Sequence, residues 1–125
     1  RHFGITKKKT NSVVDYIDGK EFEGWIRDRL FSYIEGLRHL DIPAPLAVFV
    51  MLQGHPKRTE YRVTSNSEHN FPSINVNRAF LPACVIQEYD SREKYHQSIK
   101  PAIDVLWNSA GYASAESISA SGEWK

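Results

Sequence analysis

Histidine, cysteine and serine are the residues of this chain that could bind a metal or act in covalent catalysis, and their spacing favours neither. No two of the five histidines stand four residues apart with a carboxylate between them, as a helical zinc site requires. Cys84 lies in the apolar run 82–86, which predicts a buried thiol and not a nucleophile. No serine lies in a G-x-S-x-G turn, and no glycine-rich phosphate loop occurs. We therefore expect no enzyme activity, no metal site and no cofactor.

Two pairs of acidic residues have a spacing that could serve acid–base catalysis, but the same spacing marks the start of a helix. Asp18 and Glu21 precede one periodic apolar run, and Asp90 and Glu93 precede another. In a capping box, one side chain accepts hydrogen bonds from free backbone amides while the other reaches back towards the cap. Helix capping therefore explains both pairs without a catalytic role.

Basic residues cluster in two predicted turns, and these clusters support an alternative hypothesis of nucleic-acid binding. Their members are Lys7, Lys8, Lys9, Lys57 and Arg58. Tyr61 and Phe71 are near the second cluster in sequence and could stack on bases. However, 16 basic and 15 acidic residues give a formal charge of only +1, without the excess of positive charge typical of nucleic-acid-binding domains. Nucleic acid is therefore the less favoured partner.

The length and composition predict one folded domain. The chain has 125 residues, of which 41% are hydrophobic and 25% are charged, and this composition excludes wholesale disorder. The longest uninterrupted apolar run, 46–52, is far shorter than the roughly 20 residues of a membrane-spanning helix. A single cysteine excludes an internal disulfide and fits a reducing compartment, so we expect a cytoplasmic protein without a membrane partner.

Two amphipathic helices are predicted to carry most of the core. Apolar residues recur at three- and four-residue spacing between Asp18 and Pro43, which predicts a helix that ends before the proline. A second apolar stripe runs from Asp90 to a glycine cap at Gly111. Pro101 either kinks this second helix or begins a shorter one, and the sequence leaves both alternatives open.

Four further segments read as strands. Residues 12–17 predict a short strand, hairpinned with residues 2–5 across the lysine-rich turn. The continuously apolar run 46–52 is typical of a strand that is covered on both faces or lies at the centre of a sheet, and we expect it to be the middle strand. Residues 60–63 alternate polar with apolar side chains and should form a hairpin with that strand. Residues 80–86 are the fourth predicted strand, and Pro82 favours an edge position for it.

These elements predict an α+β fold, with a small antiparallel sheet of three to five strands and both helices on one of its faces. A mixed sheet is the alternative, because the helix between residues 17 and 46 could be a parallel crossover. The expected organisation is an N-terminal strand segment at 1–17, cut from a longer protein, an accessory domain at 18–112, and a Ser/Ala-rich tail at 113–125.

Three segments of the chain resemble a bacterial protein family. They are the proline-aliphatic run 43–52, the segment 77–86, and the helix motif 100–111, which contains Pro-Ala-Ile-Asp-Val-Leu-Trp-Asn. In this order they are similar to the C-terminal region of bacterial ATP-binding proteins of the Schlafen AlbA type, often described as DNA-binding or transcriptional regulators. The resemblance spans most of residues 20 to 124, but the turn 54–58 and the strand end 87–89 depart from the family pattern.

The resemblance implies an accessory role and not a catalytic one. In that family the binding of ATP or DNA belongs to an N-terminal domain that the three segments do not include, so no catalytic or ATP-contacting residue carries over. It implies a non-catalytic accessory or interaction domain at the C-terminus of a larger regulator. The partners it implies are other domains of the same longer chain, and a homo-oligomer is a further option.

Overall fold

The computed structural model describes residues 7–8, 15–53, 59–63, 73–75 and 78–125. These residues form eight short strands and two long helices, which confirms the predicted α+β class. In chain order the elements are β1 (Lys7–Lys8), β2 (Asp15–Asp18), α1 (Gly19–His39), β3 (Leu46–Val48), β4 (Met51–Gln53), β5 (Thr59–Arg62), β6 (Ser73–Asn75), β7 (Arg78–Phe80), β8 (Cys84–Ile86) and α2 (Arg92–Ser109).

One sheet is mixed and has the strand order β1-β2-β5-β6. β2 and β5 are parallel, with Ile17 opposite Tyr61, and the other two pairs are antiparallel. Parallel neighbours need a long connection, and α1 lies within it, so the mixed-sheet alternative describes this part of the chain. The predicted hairpin between the 46–52 and 60–63 segments is wrong, because the second segment pairs with β2 and β6.

The N-terminal hairpin differs from its prediction in the identity of one strand. β1 consists of Lys7 and Lys8, which pair with Tyr16 and Asp15. The prediction from the sequence puts these lysines in the turn and residues 2–5 in the partner strand. Residues 2–5 and Lys9 lie outside the described residues.

Residues 46–53 and 78–86 form an interrupted antiparallel ribbon, called the ribbon below. β3 pairs with β8 and β4 pairs with β7, as two separate two-stranded sheets. Between the two pieces, residues 49–50 face the three residues 81–83, so one strand carries an extra residue, as in a bulge. Pro82 lies in this stretch and has no amide to donate, so the ladder is broken there. The single strand predicted over 46–52 is therefore two strands.

Both helices begin at side-chain caps. Asp18 accepts a hydrogen bond from the amide of Lys20 at 3.0 Å, as predicted. The cap of α2 is Ser91, which accepts from the amide of Lys94 at 3.3 Å, one residue after the predicted Asp90. α2 continues through Pro101, so the alternative of a helix that starts at this proline is wrong. Neither described helix is long and apolar enough to cross a membrane.

The segment 113–125 is packed into the same core as the helices, although the sequence predicted a tail. Ala115 and Ile118 are buried within the largest core cluster, and Ile118 forms a bridge with Trp124. The chain also passes very close to α2, since a Cβ at Gly122 would overlap the backbone carbonyl of Glu93. A domain boundary at Tyr112 would divide this core.

Candidate interaction surface

The two faces of the ribbon differ in burial. On the first strand, Val48, Val50 and Leu52 pack against the core. Successive side chains of a strand point to opposite faces, so Phe49 and Met51 lie on the outer face, where both are exposed. The run 46–52 is not covered on both faces, because only its inner face is buried, and it is not a middle strand, because β3 and β4 each lie in a two-stranded sheet; both alternatives are wrong.

The outer face of the ribbon carries large apolar side chains from both strands. Phe49 is 76% exposed, Phe80 70%, Met51 47% and Val85 46%. Met51 and Phe80 are directly opposite each other across the strands. We call these four residues the apolar face. From their exposed fractions they present on the order of 400 Å² of apolar surface, the size of patch that marks interaction sites on soluble proteins.

The surroundings of the apolar face carry little charge on either strand. Residues 43–53 and 79–87 contain no Asp, Glu, Lys or Arg, and the ribbon has one charged residue, Arg78, at the start of β7. Charged side chains on the edges of a ribbon normally oppose association with other strands, and here the first strand has none and the second has one at its end. The surface is therefore suited to a neutral apolar partner and not to a phosphate backbone or an anionic lipid.

A buried carboxylate connects α1, α2 and the segment 113–125. Glu23 of α1 is only 6% exposed, and its Oε1 accepts hydrogen bonds from Trp107 Nε1 at 2.8 Å and from Ser117 Oγ at 2.9 Å. Burial raises the pKa of Glu23, and the two hydrogen bonds partly oppose that rise. The carboxylate satisfies donors from α2 and from the segment 113–125, so its role is to hold these elements together.

The residues predicted to contact nucleic acid have different positions. Lys7 and Lys8 form β1, whereas Lys9, Lys57, Arg58 and Phe71 lie outside the described residues. Tyr61 is 1% exposed, and its ring meets Phe22 edge-on with 5.8 Å between centroids. A ring buried in the core has no free face for a base, so the predicted stacking role of Tyr61 is wrong. Burial also raises the pKa of Tyr61 well above its ordinary value.

In the mixed sheet, the two strands that adjoin the basic clusters, β1 and β5, have those clusters at the same end of the sheet. Lys8 and Thr59 are both Cα partners of Asp15, so two strand spacings of about 4.8 Å separate them. Thr59 directly follows Arg58 in the sequence. The two basic clusters are far apart in the sequence, but they adjoin β1 and β5, which lie on either side of β2. Only the strand pairing reveals this relation.

The described residues contain no group of three His, Cys, Asp or Glu side chains that could hold a metal ion. Cys84 is 5% exposed, which confirms the prediction of a buried thiol, and burial raises the pKa of that thiol. No family model, curated protein or solved structure matches this chain. Function is therefore inferred from its own residues.

Proposed function

We propose that this chain is a non-catalytic interaction domain that docks onto another protein surface through the apolar face of the ribbon. The observation that carries the proposal is the exposure of two phenylalanines, Phe49 and Phe80, within residues 46–53 and 79–86, which contain no charged side chain. Covering roughly 400 Å² of apolar surface is worth about 10 kcal/mol before the costs of association. This free energy is gained only when a partner covers the face.

The fold itself does not require an apolar outer face. A ribbon with one buried and one solvated face normally alternates apolar with polar residues. Here the outer positions 49, 51, 80 and 85 are Phe, Met, Phe and Val. Polar residues at 49 and 51 would leave the buried contacts of Val48, Val50 and Leu52 unchanged, so the apolar side chains of Phe49 and Met51 are available for contact with a partner.

An accessory role within a larger protein agrees with this surface. The segments 43–52 and 77–86, which resemble a region of bacterial ATP-binding regulators, are also the two strands of the ribbon and the residues next to them. We place the domain in the cytoplasm, which agrees with its free and buried Cys84.

Site-specific photo-crosslinking tests the proposal. A benzophenone amino acid replaces Phe49 in cells that express the chain, and the matched control replaces Leu40, which is 72% exposed at the end of α1. We expect a discrete covalent adduct from position 49 and none from position 40. Absence of any adduct at position 49 would contradict docking through the apolar face. ATP or phosphodiester hydrolysis by the purified chain, abolished by a point substitution within it, would contradict a non-catalytic role.

The second candidate function is nucleic-acid binding at the sheet end next to Lys8 and Thr59. The position of both residues opposite Asp15 favours it, because Lys57 and Arg58 directly precede Thr59. If both basic clusters contact phosphates, the affinity for duplex DNA should fall with salt at a log–log slope of about four to five. Replacing Lys57 and Arg58 with alanine should lower that slope by about two. A slope that the double substitution leaves unchanged would contradict this function.

A further inference from the structure

We infer that the partner of the apolar face is a second copy of this chain, docked through the same four residues around a two-fold axis. This inference rests on the proposed function, since it names the occupant of that same surface. Two-fold dimers are the commonest assemblies of identical soluble chains, and in them one patch must be compatible with itself.

Charge makes the apolar face compatible with a copy of itself. In a two-fold contact each residue near the axis meets its own copy, so any charge there would face an identical charge. Residues 43–53 and 79–87 contain no charged side chain, and the charged residues next to the second range are Arg78, which begins β7, and Glu88. Self-contact around Phe49 is therefore free of like-charge repulsion.

The size of the apolar face matches the centre of one interface. A stable interface buries about 800 Å² on each partner, with an apolar centre and a polar rim. The apolar face supplies roughly half of that area, on the order of 400 Å². Polar residues at the ends of the ribbon, Gln53 and Gln87, are exposed and can form the rim. A single face is thus large enough for the centre of a dimer contact.

The arrangement of side chains also suits a contact between identical faces. Met51 and Phe80 are opposite each other, and Phe49 lies two residues before Met51 on the same face. An axis between Phe49 and Met51 brings the thioether and rings of one copy against those of the other. Contacts between methionine sulfur and aromatic rings are favourable, and the unbranched Met side chain adapts to fill gaps.

Sedimentation of the whole chain over a dilution series from micromolar to millimolar tests the inference. We expect a reversible monomer–dimer equilibrium. Substituting both Phe49 and Phe80 with serine should weaken the dimer at least 30-fold, as expected for loss of buried aromatic anchors. The control Leu40→Ser removes an equally exposed apolar side chain elsewhere and should leave the equilibrium unchanged. Both variants change exposed residues, and circular dichroism checks that they fold.

A cysteine at the proposed axis supplies a second readout. Met51→Cys should form a disulfide-linked dimer on oxidation with oxidised glutathione, whereas Leu40→Cys should stay monomeric. A chain that remains monomeric at millimolar concentration, with no Met51→Cys dimer, overturns self-association. If position 49 still gives a photo-adduct whose mass shows a different protein, the proposed function stands and only this inference fails. If it gives no adduct either, both fail.

Discussion

The hydrogen bonds to Glu23 make a stability prediction that separates the role of its oxygen from the role of its charge. Glu23→Leu introduces an apolar side chain of similar size and removes the acceptor used by Trp107 and Ser117. Glu23→Gln keeps an acceptor oxygen and removes the buried charge. The comparison between the two variants is therefore more informative than either variant alone.

The expected magnitude follows from the burial of the two donors. Trp107 is 1% exposed, so its indole N–H would lose its partner without access to water, at a cost of about 1–3 kcal/mol. Ser117 is only half-buried, and its hydroxyl can rotate towards water, so its loss costs about 0.5–1 kcal/mol. The apolar leucine recovers part of this. We expect Glu23→Leu to lower the free energy of unfolding by about 2 kcal/mol, and Glu23→Gln to change it by less than about 1 kcal/mol.

Urea unfolding at neutral pH, followed by tryptophan fluorescence and by circular dichroism, measures both values. A leucine variant as stable as the parent would refute the reasoning, because the hydrogen bonds of Glu23 would then contribute nothing. A glutamine variant as unstable as the leucine variant would refute it as well, since the charge and not the acceptor would then stabilise the fold.

The pH dependence of these variants has a defined sign. Burial raises the pKa of Glu23 above its ordinary value of 4.5, so the folded chain retains a proton that the unfolded chain has released. The stabilising contribution of Glu23 is therefore full below pH 4.5 and is lost as the pH rises through the raised pKa. Glu23→Gln lacks this loss, so its stability relative to the parent should improve from pH 4 towards neutrality.

Three further predictions concern the segment 113–125 and its contacts. Deleting this segment should abolish cooperative thermal unfolding, because it supplies part of the main core; a truncated chain that unfolds cooperatively near the parent Tm would contradict the packing described. Burial lowers the pKa of His96, whose ring contacts Trp124, so the contribution of His96 to folding stability is full above pH 6.5 and is lost as the pH falls through the lowered pKa. His96→Phe should therefore reduce the loss of Tm on acidification. An unchanged loss of Tm would count against this role of His96. Gly122→Ala should destabilise the fold by about 3 kcal/mol or more, against about 1–2 kcal/mol for Gly111→Ala, because both have positive φ but only Gly122 has backbone where the methyl group would lie; equal losses in chemical denaturation would contradict this.

The helices could be predicted from the sequence because their signals are local. The periodic apolar residues of α1 and its cap at Asp18 lie within one segment, and the observed bounds Gly19–His39 follow them closely. The shift of the second cap from Asp90 to Ser91 is also a local detail, since both side chains can accept from free amides. The course of α2 through Pro101 was one of two open alternatives, and packing of its long apolar stripe favours the continuous helix.

Strand partners could not be predicted because they depend on distant parts of the chain. The alternation at 60–63 indicates a strand but does not indicate that β5 pairs with β2, far upstream in the sequence. This pairing also decides that Tyr61 belongs to the core. Ile118 stands alone in a Ser/Ala-rich segment without periodicity, so nothing local indicates that it is 1% exposed. The apolar face could not be predicted from the sequence, because a continuously apolar run is compatible both with a strand buried on two faces and with a strand that has one exposed apolar face.

The packing of residues 113–125 into the core has a consequence for biosynthesis. A nascent chain that has emerged from the ribosome only as far as α2 lacks Ala115, Ile118 and Ser117, the hydroxyl partner of Glu23. Part of its hydrophobic core therefore stays exposed to water. During that interval both faces of the ribbon are exposed to other molecules, whereas in the folded chain only the outer face is exposed. Ribosome-associated chaperones that shield apolar segments are therefore expected to hold this chain until the Ile118–Trp124 bridge can form.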